Sequence, residues 1–182
     1  MTPMKQKDSD GRAHAPNRIR RFRTSDRDAC RGLWEELTLW HRQIYIDPTI
    51  GGSDPGAHFD SYLEKHGPRH IWVAEVGGKT VGMAGLISGD EGPELEPLIV
   101  SEEYRRRGLG RLLSENVIRT AREEGAKMLH VRPVARNESA IRFFHGCGFD
   151  TLGHIEMFID LTPATHQRWK GGKRVAGKDF RF

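Results

Sequence analysis

Arg105-Arg106-Arg107-Gly108-Leu109-Gly110-Arg111 sets three arginines where a helix should begin and interrupts the run twice with glycine. The residues that follow, Leu109, Leu112, Leu113, Val117, Ile118 and Ala121, recur at three- and four-residue intervals and describe one apolar helical face, which Gly125 closes as a C-cap. A helix N-terminus carries roughly half a positive charge and several backbone N–H groups without intrahelical partners, so arginine is unfavourable there unless an anion is bound. Phosphate is the usual occupant of such a site. Gly108 and Gly110, without Cβ atoms, allow close approach of the backbone and a positive φ where the turn needs one.

In isolation, three arginines describe a solvated charge run equally well; the flanking sequence argues otherwise. Leu95, Leu98, Ile99 and Val100 form an apolar run ending in Ser101-Glu102-Glu103, so the order is strand, turn, glycine-rich basic loop, helix. A dinucleotide fingerprint needs a third glycine where Leu113 stands, and a Walker loop needs one where Val73 stands. Gly77-Gly78 reads instead as a hairpin turn.

Outward from this core, residues 18–23 read as a strand, and Ser25 with Asp28 as the start of a helix whose face is Leu33, Leu37, Trp40 and Ile44. Trp34 and Trp40 suit its core side. The cluster from Asp47-Pro48 to Gly56 predicts a long mobile connection to a second helix across Phe59, Tyr62 and Leu63. Further strands are predicted at Ile71–Val76, Thr80–Ile87, Glu94–Val100, Met128–Arg132, Phe149–Leu152 and Ile155–Leu161. A helix capped by Asn137 is predicted from Glu138 to His145. The fold class is α/β (α+β): a mixed, mostly antiparallel central sheet flanked by helices in a single domain.

A chain of 182 residues suits one domain, expected at 18–161 between tails at 1–17 and 162–182 that are low in apolar periodicity. The net charge of +4 is uneven: residues 1–25 carry +5, residues 162–182 carry +5, and the middle carries −6. Few aromatics accompany the basic residues from Lys170 to Arg181, which argues against a base-stacking nucleic-acid site. Cys30 and Cys147 form no CxxC pair, pointing to a reducing compartment and no cysteine zinc site. His41, His58, His66 and His70 lack metal spacing, and no G-x-S-x-G elbow is present. With no signal-like apolar core in residues 1–17 and no long apolar run, the expected location is cytoplasmic, without a membrane.

The pattern R-x-x-G-x-G over Arg105 to Gly110 is followed in order by the amphipathic helix, the Met128–Arg132 strand, Asn137-Glu138-Ser139-Ala140-Ile141-Arg142-Phe143-Phe144 and Gly148-Phe149. Over residues 94–161 this resembles the GNAT superfamily of acetyl-coenzyme A-dependent N-acyltransferases; residues 18–93 agree only in their succession of elements. The resemblance implies acetyl-CoA as co-substrate and no metal. It implies that the backbone of Leu98, Ile99 and Val100 pairs with the pantetheine arm. Arg105, Arg106, Arg107, Gly108, Leu109, Gly110 and Arg111 would form the pyrophosphate loop, with Asn137, Phe143 and Phe144 also at the cofactor. It also implies that the strands at Glu94–Val100 and Met128–Arg132 splay apart around the thioester, and Pro97 suits such a splay or a strand edge equally.

Acyl transfer to an amine requires removal of a proton, because an alkylammonium of pKa about 10 has no lone pair at neutral pH. Glu96 is the first candidate base and Glu94 the second; simple alternation sets Glu94, Glu96 and Leu98 on one face, and a bulge at Pro97 would change that register. Many members of the superfamily carry a proton-donating tyrosine where this chain has Phe144, leaving water, His145 or Cys147 to protonate the departing thiolate. The segment between the first two helices borders the acceptor in the superfamily. Here it holds Tyr45, Asp47, Asp54, Asp60 and Tyr62, which suits a cationic amine, small or presented by a peptide. The alternative reading, favoured by Phe144, is a catalytically impaired coenzyme A-binding regulatory or interaction module. Either is compatible with a homodimer.

Overall fold

The computed structural model describes residues 17–161 and 172–181. Its elements in chain order are β1 (Arg18–Arg21), α1 (Arg27–Tyr45), α2 (Ala57–His66), β2 (Ile71–Val76), β3 (Lys79–Gly89), β4 (Gly92–Val100), α3 (Leu109–Glu123), α4 (Glu138–Gly146), β5 (Lys173–Val175) and β6 (Lys178–Phe180). β1 to β4 form one antiparallel sheet in that order.

Alternation along β2 builds the two layers. Trp72 and Ala74 join Leu86, Leu95 and the buried face of α3 (Leu109, Leu113, Val117, Ala121), while Ile71 and Val73 join Met83, Ile99, Leu33 of α1 and Phe59 and Tyr62 of α2. The sheet is therefore sandwiched between α3 and the α1–α2 pair. Gly77 and Gly78, both at positive φ, make the two-residue turn between β2 and β3. Gly125, also at positive φ, ends α3: its N–H donates to the Arg122 carbonyl and that of Ala126 to the Ala121 carbonyl.

Four expectations need correction. First, α1 is entered through Asp26 rather than Ser25: the buried Asp26 carboxylate accepts the Arg23 N–H (2.8 Å), the Thr80 hydroxyl (2.8 Å) and both terminal nitrogens of Arg20 (2.6 and 2.8 Å). Secondly, the α1–α2 connection is tied down. Arg42 donates to the carbonyls of Ile50 (2.8 Å) and Gly52 (2.6 Å), and Arg31 pairs with Asp54 (2.8 Å). Gly51 passes so near Thr38 that a Cβ would lie 2.4 Å from its methyl.

Thirdly, Met128–Arg132 is no full strand. It meets β4 in one parallel bridge, with Leu95 N–H donating to the His130 carbonyl and His130 N–H to that of Pro93, both at 2.9 Å. Beyond Leu95 this contact ends, and the outer edge of β4 pairs with no other strand among the described residues. Fourthly, Phe149–Leu152 and Ile155–Leu161 form no strands; Leu152 and Ile159 are 87% and 82% exposed. The alternation that predicts them measures amphipathicity, but a strand also needs an edge to pair with. The segment expected as a basic tail holds the short antiparallel hairpin β5–β6, and residues 1–16 and 162–171 lie outside the described set.

Candidate active site

On β4, Leu95 faces Leu86 and Leu98 faces Ala84, so two residues, Glu96 and Pro97, lie opposite the single Gly85. This is a β-bulge at the proline. It brings Leu95 and Leu98, three residues apart, to the same α3 side of the sheet, and so breaks the simple alternation of Glu94, Glu96 and Leu98.

The bulge separates the two glutamates. Glu94 is buried and ion-paired with Arg132, which also reaches Glu91 (3.3 Å). Burial pushes the Glu94 carboxyl above the usual range, while Arg132 acts in the opposite direction. Glu96 is exposed, and its backbone carbonyl accepts the Tyr62 hydroxyl at 2.7 Å. Tyr62 is 7% exposed, with Trp34 at 5.3 Å and His66 at 4.9 Å between ring centroids. Burial lowers the His66 pKa, leaving the imidazole neutral at pH 7, with Lys65 adding to the shift and Glu96 opposing it. No sequence motif singles out Gly85 or His66 for this site. The available signal for Gly85 was an isolated glycine in an apolar strand, which marks a bulge or a close approach.

Beyond β4, a single 3-10 turn (Glu102–Tyr104) leads into the basic loop, where Arg106 (φ 60°) and Gly108 (φ 82°) take left-handed conformations to enter α3. No side chain caps the first amides of α3. Most of the arginine side chains bind the protein's own backbone. Arg105 donates to the Val100 carbonyl (3.0 Å), Arg107 to that of Glu103 (3.0 Å), and Arg111 to that of Gly146 (3.0 Å). Arg105 also reaches Glu36 of α1 (3.4 Å), whose carboxylate accepts the Glu102 N–H (2.6 Å). With those side chains so engaged, the loop presents the main-chain amides of an uncapped helix start, a geometry suited to an anion. An open β4 edge beside these amides fits an extended arm ending in a diphosphate.

The Asn137 side-chain oxygen accepts the Ala140 N–H (3.1 Å) and the Ser139 hydroxyl (2.8 Å), the predicted cap of α4. Phe143 and Phe144 stack edge-on (5.4 Å), as do Phe144 and Phe149 (5.7 Å), and Phe144 packs on the α3-side core. Burial raises the Cys147 pKa, so its thiol stays protonated at neutral pH.

The carboxylates expected to attract the acceptor are already engaged. Asp60 pairs with Arg31 and with Arg27 (2.8 Å), Asp54 pairs with Arg31, and Asp47 accepts the Thr49 N–H (2.9 Å). Tyr45 lies under the Arg136 guanidinium, 4.8 Å from ring centroid to Cζ. Among the described residues no group of three or more His, Cys, Asp or Glu could hold a metal ion, and no helix is long and apolar enough to cross a membrane.

A bulged β4 with an open edge thus leads through a glycine-rich turn into an uncapped helix. The fold is similar to that of a Bacillus halodurans protein titled a transcriptional regulator (TM-score 0.60, 18% identity, 79% of this chain and 100% of that one). It is also similar to the aminoglycoside acetyltransferase AAC(6')-Iy in complex with a CoA bisubstrate analogue (TM-score 0.59, 16% identity, 81% and 100%). Residues 30–149 match the Acetyltransferase (GNAT) family, and the chain belongs to that family. Over 105 residues it is 34% identical to N-acetyltransferase family 8 member 2 of Rattus norvegicus, covering 54% of this chain and 46% of that protein. The chain spans about half the length of the curated relatives it matches.

Proposed function

We propose that this chain is an acetyl-CoA-dependent N-acetyltransferase in which a cationic amine attacks directly within a ternary complex and Glu96 takes its proton. The observation that carries this reading is the position of Glu96: an exposed carboxylate at the bulge where β4 loses its outer neighbour, with a buried, ion-paired Glu94 as its nearest rival on the strand.

Bound there, acetyl-coenzyme A supplies the acyl thioester. The main-chain amides from Arg106 to Arg111 would hold its diphosphate, and the backbone of Leu98, Ile99 and Val100 would receive the pantetheine arm. Arg105, Arg106, Arg107 and Gly108 shape the loop, Asn137 holds the start of α4, and Phe143 and Phe144 pack beside the cofactor. Glu96, directly or through one water, removes the proton that blocks attack, a step worth about 10²- to 10⁴-fold. Phe144 has no proton to give, which leaves the thiolate to water, to His145 or to the Cys147 thiol.

The transferase unit is residues 18–161, and the reaction belongs to a reducing, cytoplasmic compartment. The acceptor is a primary alkylammonium, small or presented by a peptide. With Asp54 and Asp60 engaged by arginine, Glu96 and the net −6 of residues 26–161 favour that charge.

The test is thiol release from acetyl-CoA with a panel of amines. Glu96→Gln should lose about 10²- to 10⁴-fold in kcat and keep its affinity for coenzyme A. An inactive wild type that still binds coenzyme A would support the non-catalytic module instead.

A further inference from the structure

The proton acceptor of a transferase must be held in direction as well as in place, and an exposed carboxylate on a bulge has no ladder to hold it. Around Glu96 the chain supplies a separate device. The Tyr62 side chain rises from α2 through the aromatic layer formed with Trp34 and Phe59, and ends in a hydroxyl that donates to the Glu96 carbonyl at 2.7 Å. It reaches that oxygen only because residue 85 is glycine: a Cβ there would lie 2.0 Å from the hydroxyl and 2.4 Å from the carbonyl it binds. Pro97 has no N–H, so the peptide unit it shares with Glu96 offers no donor of its own to a ladder. Burial, followed by the Glu96 charge, raises the Tyr62 pKa, so the phenol remains a donor across the working pH range.

We propose that Tyr62 is the positioning residue for Glu96: its buried hydroxyl, passing over Gly85, fixes the peptide plane that aims the carboxylate from the bulge. This inference rests on the reading of Glu96 as base. The hydrogen bond orients the Cα–Cβ direction of Glu96, and misplacement by about 1 Å costs up to 10²-fold in rate. His66, tilted against the same ring at 4.9 Å between centroids, limits its swing.

Tyr62→Phe keeps the ring in the layer and deletes only the donor. The expected result is a kcat lower by roughly 10- to 100-fold with an unchanged KM for acetyl-CoA. In a Glu96→Gln background, Tyr62→Phe should add no further loss, because two residues acting through one carboxylate are not additive. Val73→Ala removes buried methyls from the same core layer and leaves the hydroxyl in place; it should lower the Tm and leave kcat as it was. Wild-type kcat in Tyr62→Phe beside an inactive Glu96→Gln overturns the positioning role alone, as do losses that multiply in the double variant. A fully active Glu96→Gln overturns the base assignment and this inference with it.

Discussion

Gly110 lies against the ring of Phe143: a Cβ on Gly110 would stand 3.3 Å from both Cε2 and Cζ of that ring. The second glycine of the loop therefore serves the contact between α3 and α4, and the first serves the turn, since Gly108 sits at φ 82° with nothing within 4 Å of an added Cβ. Gly108→Ala should cost roughly 1–2 kcal/mol of stability, from the left-handed backbone. Gly110→Ala should cost less stability than Gly108→Ala, because about 1 kcal/mol of helix propensity offsets the few tenths of an ångström by which the half-buried Phe143 ring must give, and it should weaken coenzyme A binding by moving that ring. Denaturant unfolding and calorimetric titration of both variants check the distinction; equal losses of cofactor affinity would refute it.

Arg20 and Asp26 make a buried ion pair that ties the fold to the ionised carboxylate. Their side chains are 10% and 6% exposed, and Arg20 also donates to Glu75 at 2.7 Å. Burial alone would raise the Asp26 carboxyl, but Arg20, the Arg23 N–H and the Thr80 hydroxyl outweigh it and hold it below its ordinary 3.8. A carboxyl depressed in the folded state contributes stability that is complete above about pH 3.8 and is lost as the pH falls through its folded value. Asp26→Asn should cost about 3–5 kcal/mol at neutral pH, because it leaves Arg20 buried with half its partners. The variant should also lack that part of the acid-induced loss, measured by urea midpoints at stepped pH.

Glu94 has the opposite sign. Its carboxyl is raised above an ordinary 4.5, first by burial and against the pull of Arg132. The folded state therefore holds this proton more tightly than the unfolded chain does, and the contribution to stability falls as the pH rises from 4.5 through the raised value. The difference in unfolding midpoint between wild type and Glu94→Gln should shift in favour of the variant across that interval. A difference that is flat with pH would show that Arg132 cancels the burial.

Every residue of the two core clusters lies between Ile19 and Phe149. A fragment of residues 18–161 should therefore unfold in a single transition with a Tm within a few degrees of that of the whole chain, and should keep its kcat. A large drop in Tm or loss of the cooperative transition would place part of the unit in the flanking basic segments.

The parts of this fold that a sequence displays are those that a local rule determines. Gly77-Gly78 announces its hairpin because a two-residue turn needs two positive φ values, and the spacing from Leu109 to Ala121 announces α3 because one face must be dry. Pro97 signals its bulge for a similar reason. Long-range side-chain bonds leave no such trace. Nothing near Arg105 in sequence points to Glu36, 69 residues away, and nothing near Asp54 or Asp60 shows that Arg31 neutralises them. The segment from Ile155 to Leu161 marks the limit of pattern reading, since its alternation is that of a strand and yet no sheet edge receives it.

The margin of β4 from Glu96 to Val100 bears on how the protein keeps in solution. Tyr62 and Arg105 hold the Glu96 and Val100 carbonyls, but no other strand among the described residues covers this edge, and such an edge accepts a stretched polypeptide, a neighbouring copy included. Pro97 spoils one rung of that template, and a docked thioester carrier would cover others, so the protein should keep better in solution with acetyl-coenzyme A added than without it.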